Sequence, residues 1–301
     1  MMKRYIHILS AIAVAALIFS GCVKHDTTWT PDNIAFRPLI GHDTRAVESV
    51  PFPQDRSFKV WAVSQNDGIC LDGGLYLDAE EISYGENGWE SSKKWPRYEL
   101  EFEACWPTDL AVDFSPVNGI QLKDFDCSKG DVDILIAHAS DNDQLDGVSV
   151  LRFDHILSRL DFRMLHSLSE DIAVRVKKIT LIGFADSGDY NVKVKNGWDT
   201  DSKDFSYVVY DAGDSEGFSI IAGTAQYLGD EFYVIPQACT AALEVSYEIS
   251  YDGSIWIPQT ETIKSIETYW EPSKHYTYTI NLRMDKLTHT TGISSWNNRD
   301  L

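Results

Sequence analysis

The amino-acid sequence predicts an all-β fold made of two sandwiches. After the N-terminal segment, apolar residues recur almost everywhere with a period of two, which is the pattern of half-buried strands. The loops between these runs hold Gly, Asp, Asn and Pro, as in Asp67-Gly68 and Ser115-Pro116. No long amphipathic helix is predicted in the same region. A chain of 301 residues also exceeds one average domain, which favours two.

Residues 1–21 are predicted to be a lipoprotein signal peptide. Lys3 and Arg4 give a basic start, and Ala11–Phe19 is an apolar run too short to span a bilayer. Two small residues then precede Cys22, and the segment resembles the lipobox of bacterial lipoproteins. The resemblance implies cleavage before Cys22, whose thiol takes a diacylglycerol; palmitate is the expected acyl chain. The mature chain would then be held by lipid at the outer membrane, exposed on the cell surface.

Charge and composition limit the partners of the mature chain. The signal peptide removes two of the 26 basic residues and none of the 46 acidic ones, so 24 minus 46 leaves a net charge of −22. Such a surface repels phosphate backbones, and nucleic-acid binding is therefore disfavoured. The acidity itself is interpreted as a solvated, self-repelling exterior.

Residues 22–33 are polar and predicted to be a tether, and the first strand follows them. One face of this strand carries four apolar side chains, those of Ile34, Phe36, Pro38 and Ile40. Because proline has no N–H to donate to a ladder, the strand is predicted to lie at a sheet edge. The flexible acidic stretch Ser140–Gly147 gives the best boundary between an N-terminal sandwich, residues 34–145, and a C-terminal sandwich, residues 146–301. The strand pattern changes phase after His155, which predicts a bulge or short turn across Ile156–Arg159.

No residue pattern indicates an enzyme, a metal site or a cofactor. The sequence has no H-E-x-x-H, G-x-S-x-G, P-loop or G-x-G-x-x-G motif, and its histidines lack metal-ligand spacing. His155 has Asp154 and Ser158 nearby in sequence, but in a bulged strand it is predicted to be a buried, hydrogen-bonded structural histidine. The stretch that begins at Asp141 resembles the start of a calcium loop, yet Leu145 stands where an oxygen ligand is required.

The cysteines and tryptophans leave alternatives open. Export permits disulfides, but the sequence does not say which pair would form among Cys70, Cys105, Cys127 and Cys239. These cysteines are predicted to be buried small hydrophobes. The nine tryptophans could form a platform on which sugars stack, but Trp61, Trp95 and Trp256 are predicted to lie in strands and fill the cores.

Several segments in a fixed order and spacing cover nearly the whole mature chain. They are Thr44-Arg45-Ala46, Phe58–Ala62, Trp89, Trp95-Pro96, Leu100–Ala104, Trp106-Pro107, Asp133–Ala137, Val150–Leu160, Phe232–Gln237, Tyr276–Ile280 and Ile293–Trp296. Together they resemble the fimbrillin-like (Mfa-like) family of surface lipoproteins, which is related to the subunits of protease-assembled, type V pili. The family's fold is two tandem transthyretin-like β-sandwiches, which agrees with the strand pattern.

The resemblance also implies a function and a mechanism. A lipidated precursor is cut after an arginine, here Arg45, and the strand Ile34–Ile40 is displaced. A strand from another pilus subunit then fills the groove by β-augmentation. The chain would be a structural or adhesive pilus component, as stalk, anchor or tip, with a host or bacterial surface ligand as a further partner. The alternative function is that of a surface glycan-binding lipoprotein.

Overall fold

The computed structural model of the protein describes residues 31–41, 49–66, 69–142, 145, 147–195 and 197–296, without the side chains of residues 65–74 and 141. The described part of the chain is all β and contains no α-helix, as predicted from the period-two pattern. No helix among these residues is long and apolar enough to cross a membrane. The predicted signal peptide, Cys22 and Arg45 lie outside the described residues.

The strands of the first half are β1 Asn33–Ile40, β2 Val50–Pro51, β3 Phe58–Asn66, β4 Ile69–Ile82, β5 Tyr84–Gly85, β6 Gly88–Lys94, β7 Leu100–Trp106, β8 Asp113–Ser115, β9 Gly119–Asp126, β10 Leu135–Asn142 and β11 Val148–His155. The strands of the second half are β12 Ser158–His166, β13 Ala173–Phe184, β14 Ser187–Asn191, β15 Trp198–Thr200, β16 Phe205–Asp211, β17 Phe218–Ile220, β18 Gln226–Tyr227, β19 Phe232–Val234, β20 Ala238–Ser250, β21 Ile257–Tyr269, β22 Lys274–Leu282 and β23 Leu287–Ser295.

A nine-stranded sheet forms the first half, in the order β4-β3-β7-β10-β11-β1-β6-β5, with β2 paired to β1. The sheet curls around its own core. Phe58 of β3 and Trp89 of β6 are far apart in the strand order, yet their rings are 5.3 Å apart. Alternating residues of seven strands meet in this core, which also contains Phe102 and Phe153. The curl is the physical reason that one sheet can bury a face without a second sheet from the same half.

Two five-stranded sheets form a sandwich in the second half. One has the order β18-β12-β22-β23 with β19 on β12, and the other has the order β16-β13-β20-β21 with β17 on β13. Their facing sides bury one apolar cluster, in which the rings of Phe162 and Tyr278 stack at 5.1 Å and Phe184 meets Trp270 edge-on at 5.5 Å. Buried positions alternate with more accessible ones along β20 and β22, which follows directly from this packing.

The strand pairing crosses the predicted boundary at residues 145 and 146. β10 and β11 are antiparallel neighbours, with Leu135 opposite His155 and Ala137 opposite Phe153. The nine-stranded sheet therefore continues to His155, and the chain enters the second sandwich at Ser158. The residues between these two strands lie within Ile156–Arg159, the segment in which the change of phase predicted a bulge or short turn. Independent folding of two halves stays a prediction, and we would place their border near Ile156.

A four-stranded sheet joins the two halves. Its order is β15-β14-β9-β8, so two strands from each half are hydrogen-bonded through the pairing of β9 with β14. A third apolar cluster lies beside it and combines Ile120 and Ile136 of the first half with Leu157 and Tyr190 of the second. Shared hydrogen bonds and a shared core couple the halves more tightly than a flexible linker would.

Candidate strand-exchange site

β1, predicted as the displaced strand, lies inside the nine-stranded sheet and not at its edge. It pairs in parallel with β11 from Ala35 opposite Val148 to Ile40 opposite Phe153. On its other side it pairs antiparallel with β6, where Phe36 is opposite Trp89, and with β2, where Ile40 is opposite Val50. The prediction of an edge strand was therefore wrong.

Pro38 is tolerated in this interior strand because its missing N–H falls in a gap between two partner strands. In an extended strand the N and O of one residue point to the same side. The Pro38 carbonyl accepts a hydrogen bond from the Phe52 N–H at 3.1 Å, so its ring nitrogen also faces the side of β2 and β6. The pairing with β6 ends at Phe36 and that with β2 begins at Leu39. No ladder hydrogen bond is lost at Pro38.

The apolar face predicted for β1 is buried. Ile34, Phe36, Pro38 and Ile40 all point into the core, while Arg37 between them is exposed. Each such side chain contributes roughly 1.5–3 kcal/mol by burial, which makes β1 a substantial part of the core.

Aromatic contacts fix the position of β1 across the core. The Phe36 ring lies 5.3 Å from that of Phe102 and 6.2 Å from that of Phe58, both edge to face. Phe52, which follows β2, contacts Phe153 of β11 at 5.2 Å and Trp89 of β6 at 5.7 Å. The Phe52 ring thus joins β11 and β6, the two strands that flank β1.

The removal of β1 would leave a groove with defined walls. β11 would stay attached through β10 to β7, β3 and β4, whereas β6 would keep β5 as a paired strand and the hydrogen bonds of Ser91 and Ser92 to Glu80 of β4. Both walls would expose unpaired backbone groups toward the same space, and the floor would be the apolar core. These are the two requirements of a site that accepts an added strand.

His155 has the structural role predicted for it. It is 2% exposed, its Nδ1 is 2.8 Å from a carboxylate oxygen of Asp133, and its ring stacks on Trp296 at 4.0 Å. Ser158 does not bond to it, because the Ser158 hydroxyl donates to the Glu271 carbonyl at 2.7 Å. These residues lack the nucleophile–base hydrogen bond that acyl-transfer catalysis requires.

One cluster of carboxylates and histidine among the described residues has the spacing of a metal site. Glu101 and Glu103 of β7 lie beside His138 of β10, with the ligand atoms within 4.8 Å of one another. Lys193 pairs with both carboxylates, and its Nζ is 2.8 Å from Glu103 Oε1. The Lys193 ammonium group already supplies a positive charge to this cluster. Its ion pairs connect the nine-stranded sheet to the turn between β14 and β15.

The cysteines and tryptophans are placed in part as predicted. Cys105, Cys127 and Cys239 are free, buried thiols. Burial raises the pKa of Cys105 and of Cys127 to about 12, so both are uncharged small hydrophobes. The side chain of Cys70 lies outside the described residues.

Two of the three tryptophans predicted in strands depart from that prediction. Trp61 is buried within β3, and Trp95 is buried but follows β6. Trp256 precedes β21 and is only half-buried, because its ring packs against the Arg175 guanidinium at 4.0 Å. A residue next to a strand can fill the core as well as one inside it, and sequence alternation alone does not distinguish the two.

Comparison with known proteins agrees with this architecture. A family model described as fimbrillin-like matches residues 44–296. A fimbrial protein from Bacteroides vulgatus has 16% sequence identity and a TM-score of 0.59, covering 80% of this chain and 93% of that one. A candidate cell adhesion protein from Bacteroides uniformis has 17% identity and a TM-score of 0.55, covering 88% and 98%. No curated protein matches the chain. The family model spans most of the sequence and the solved structures share its fold, so the chain belongs to the fimbrillin-like family.

Proposed function

We propose that this protein is a surface-anchored structural or adhesive subunit of a fimbria, assembled by strand exchange. The observation that carries the proposal is the position of β1, which is paired on both sides and buries one apolar face. Family membership supports a fimbrial role and gives no support to an enzymatic one.

Cleavage after Arg45 would convert β1 from a covalent part of the fold into a bound peptide. Arg45 lies between the end of β1 at Ile40 and the start of β2 at Val50. A cut there leaves β2, β6 and β11 in the remaining chain. β1 would then be held by backbone hydrogen bonds and apolar burial alone, and another strand could replace it.

The groove sets requirements for the strand that replaces β1. The strand must run parallel to β11, and it must place apolar side chains at alternate positions to refill the space of Ile34, Phe36 and Ile40. A polar residue at these positions would be buried without a partner, at a cost of about 1–3 kcal/mol. These requirements give the exchange its specificity.

Attachment to the cell surface is the second part of the proposal. Lipid on Cys22 would hold the precursor at the outer membrane before cleavage. Because Cys22 precedes Arg45, the displacement of β1 after the cut would also free the chain from its lipid. Replacement Cys22→Ser should abolish labelling by a radioactive fatty acid and move the protein out of the membrane fraction; persistent labelling would contradict the lipobox interpretation.

Limited trypsin digestion of the purified mature protein tests strand exchange. We expect a first cut after Arg45, followed by larger species in size-exclusion chromatography, because the emptied groove binds strands of other copies. Arg45→Ala should abolish both results. Arg56→Ala, in the exposed turn before β3, is the matched control and should change neither. A product that is cut after Arg45 yet stays a folded monomer would contradict the groove function of β1.

A further inference from the structure

Two adjoining clefts lie where the second sandwich meets the four-stranded sheet. Their volumes are about 240 Å³ and about 280 Å³, and both are lined by Trp198 and Pro272, which form a ridge between them. Each cleft is small, but together they fall within the roughly 300–1,000 Å³ of small-molecule sites. No residue of β1 lines either cleft, and the second cleft meets the strand-exchange site at Asp154 and His155, the end of β11.

The first cleft presents polar groups and an exposed aromatic ring. Tyr269, at the end of β21, is 62% exposed. Thr200, Lys203 and Glu271 line the same cleft and are accessible to solvent. The Lys203 ammonium donates to the Ala238 carbonyl, which fixes its position. Hydroxyl, ammonium and carboxylate groups together can donate to and accept from the vicinal hydroxyls of a ligand.

The second cleft lies on the other side of the ridge and has a different lining. It includes Asp154, Tyr190, Val194 and Ser273. Ser273 has a left-handed backbone with a φ of 58°, and its hydroxyl donates to the His155 carbonyl at 2.7 Å. This wall is thereby held to β11. The cleft offers both apolar and polar contacts beside the shared Trp198.

Trp198 is held rigidly between the clefts. Its Nε1 donates to the Ile156 carbonyl at 2.9 Å, and its ring contacts those of Tyr190 at 5.1 Å and Phe125 at 5.6 Å. Gly197 before it has a φ of 68°, and a Cβ there would lie 2.3 Å from the Tyr190 ring. The glycine therefore allows the tight turn that presents Trp198. A fixed aromatic ring loses little entropy when a ligand packs against it.

We propose that these clefts bind two successive units of a neutral oligosaccharide. A sugar ring has a C–H-rich face that packs on an aromatic ring and hydroxyls that require paired donors and acceptors, and the ridge with its polar surroundings supplies both. The formal net charge of −20 disfavours sialylated or sulfated glycans. The inference goes beyond assembly and relies on the proposed exposure at the cell surface.

A glycan array tests the inference with the full mature chain. The array carries immobilised neutral oligosaccharides together with sialylated and sulfated ones. We expect binding to neutral glycans only, and titration calorimetry with the best array ligand should show Tyr269→Ala about two- to twelvefold weaker, the fold-change that corresponds to roughly 0.5–1.5 kcal/mol for one aromatic contact. Glu271→Gln should also weaken binding. Tyr251→Ala, 65% exposed in the turn between β20 and β21, is the matched control and should bind as the parent does.

Three outcomes would overturn the inference: no binding to neutral glycans, binding confined to anionic glycans, or unchanged affinity in both Tyr269→Ala and Glu271→Gln. Tyr269 and Glu271 are exposed, so their variants should keep the parent's circular dichroism spectrum. Both variants should also still associate after trypsin cleavage, because no residue of β1 lines the cleft that contains these two side chains. A chain that binds glycans without associating would contradict strand exchange alone, and one that associates without binding glycans would contradict this inference alone.

Discussion

The first and last strands of the described chain differ in how the fold holds them. β1 is paired on both sides, and alternate side chains along its whole length are buried. β23 pairs only with β22, and after Leu287 its side chains are largely exposed. Loss of β1 would divide a sheet and open its core, whereas loss of β23 would only expose a new edge at β22. A strand's contribution therefore depends on its neighbours more than on its length, since β1 has eight residues and β23 has nine.

β23 is nevertheless anchored at its far end. Trp296 follows the strand directly and is 2% exposed, with its ring stacked between His155 at 4.0 Å and Tyr233 at 5.4 Å. Its backbone N–H donates to the Ser273 carbonyl at 3.2 Å. β23 is thus anchored by the burial of Leu287 at its start and of Trp296 directly after its end. The side chains between them bury little surface.

The largest effect is expected from the core of β1. Phe36→Ala removes a ring that contacts Phe58 and Phe102, and it should lower the free energy of unfolding by about 3–5 kcal/mol. Urea denaturation of the mature protein measures this. A loss below about 1 kcal/mol would show that β1 contributes little to the core and would remove the contrast with β23.

Trp296→Ala should have the next largest effect, and a more local one. Few side chains of the edge strand that Trp296 anchors are buried, so this strand can relax into the cavity, and we expect a loss of about 2–3 kcal/mol. Hydrogen exchange should accelerate in the amides of β23 while those of β1 keep their protection. Equal acceleration in both strands would mean that Trp296 stabilises the whole fold rather than the last strand.

Lys193 of the second half forms ion pairs with Glu101 and Glu103 of β7. These pairs test whether the second half stabilises the nine-stranded sheet that contains β1. Lys193→Met leaves the buried Glu103 carboxylate without this cation and should cost about 1 kcal/mol, reduced by the partial exposure of Lys193. Lys193→Arg keeps the charge and is the matched control. If Lys193→Met unfolds like the parent, the cluster does not couple the halves.

The same pair predicts a pH dependence. Burial opposes protonation of Lys193, but its hydrogen bonds to Glu101 and Glu103 outweigh burial and raise its pKa above the ordinary 10.5. A lysine whose pKa is higher in the folded than in the unfolded protein stabilises the fold at pH values below the unfolded-state pKa. This contribution is therefore present at neutral pH and is lost as the pH rises above 10.5. The stability difference between the parent and Lys193→Met should therefore shrink in that range.

The smallest effect is expected on the exposed face of β23. Ile293 is 64% exposed, and Ile293→Ala should change the free energy of unfolding by less than about 0.5 kcal/mol. It is the counterpart of Phe36→Ala on a strand of similar length. A loss as large as that of Phe36→Ala would contradict the comparison between an interior and an edge strand.

The sequence by itself determined the class of fold and the buried face of the first strand. Alternation placed Ile34, Phe36, Pro38 and Ile40 on one face, and all four are buried. The fimbrillin-like resemblance was likewise recognisable from residue order, and the family match confirms it. Both are local or linear properties of the chain.

Only the tertiary structure decided which strands are neighbours. The alternation of β1 shows that one face is buried, but it does not show that β11, from more than a hundred residues later, pairs along one side of it. The proline that suggested an edge lies instead in a gap between β6 and β2. The clefts beside Trp198 likewise combine side chains from Asp154 to Ser273. Strand pairing is non-local: its hydrogen bonds join backbones whatever their side chains, so the side-chain pattern does not record it.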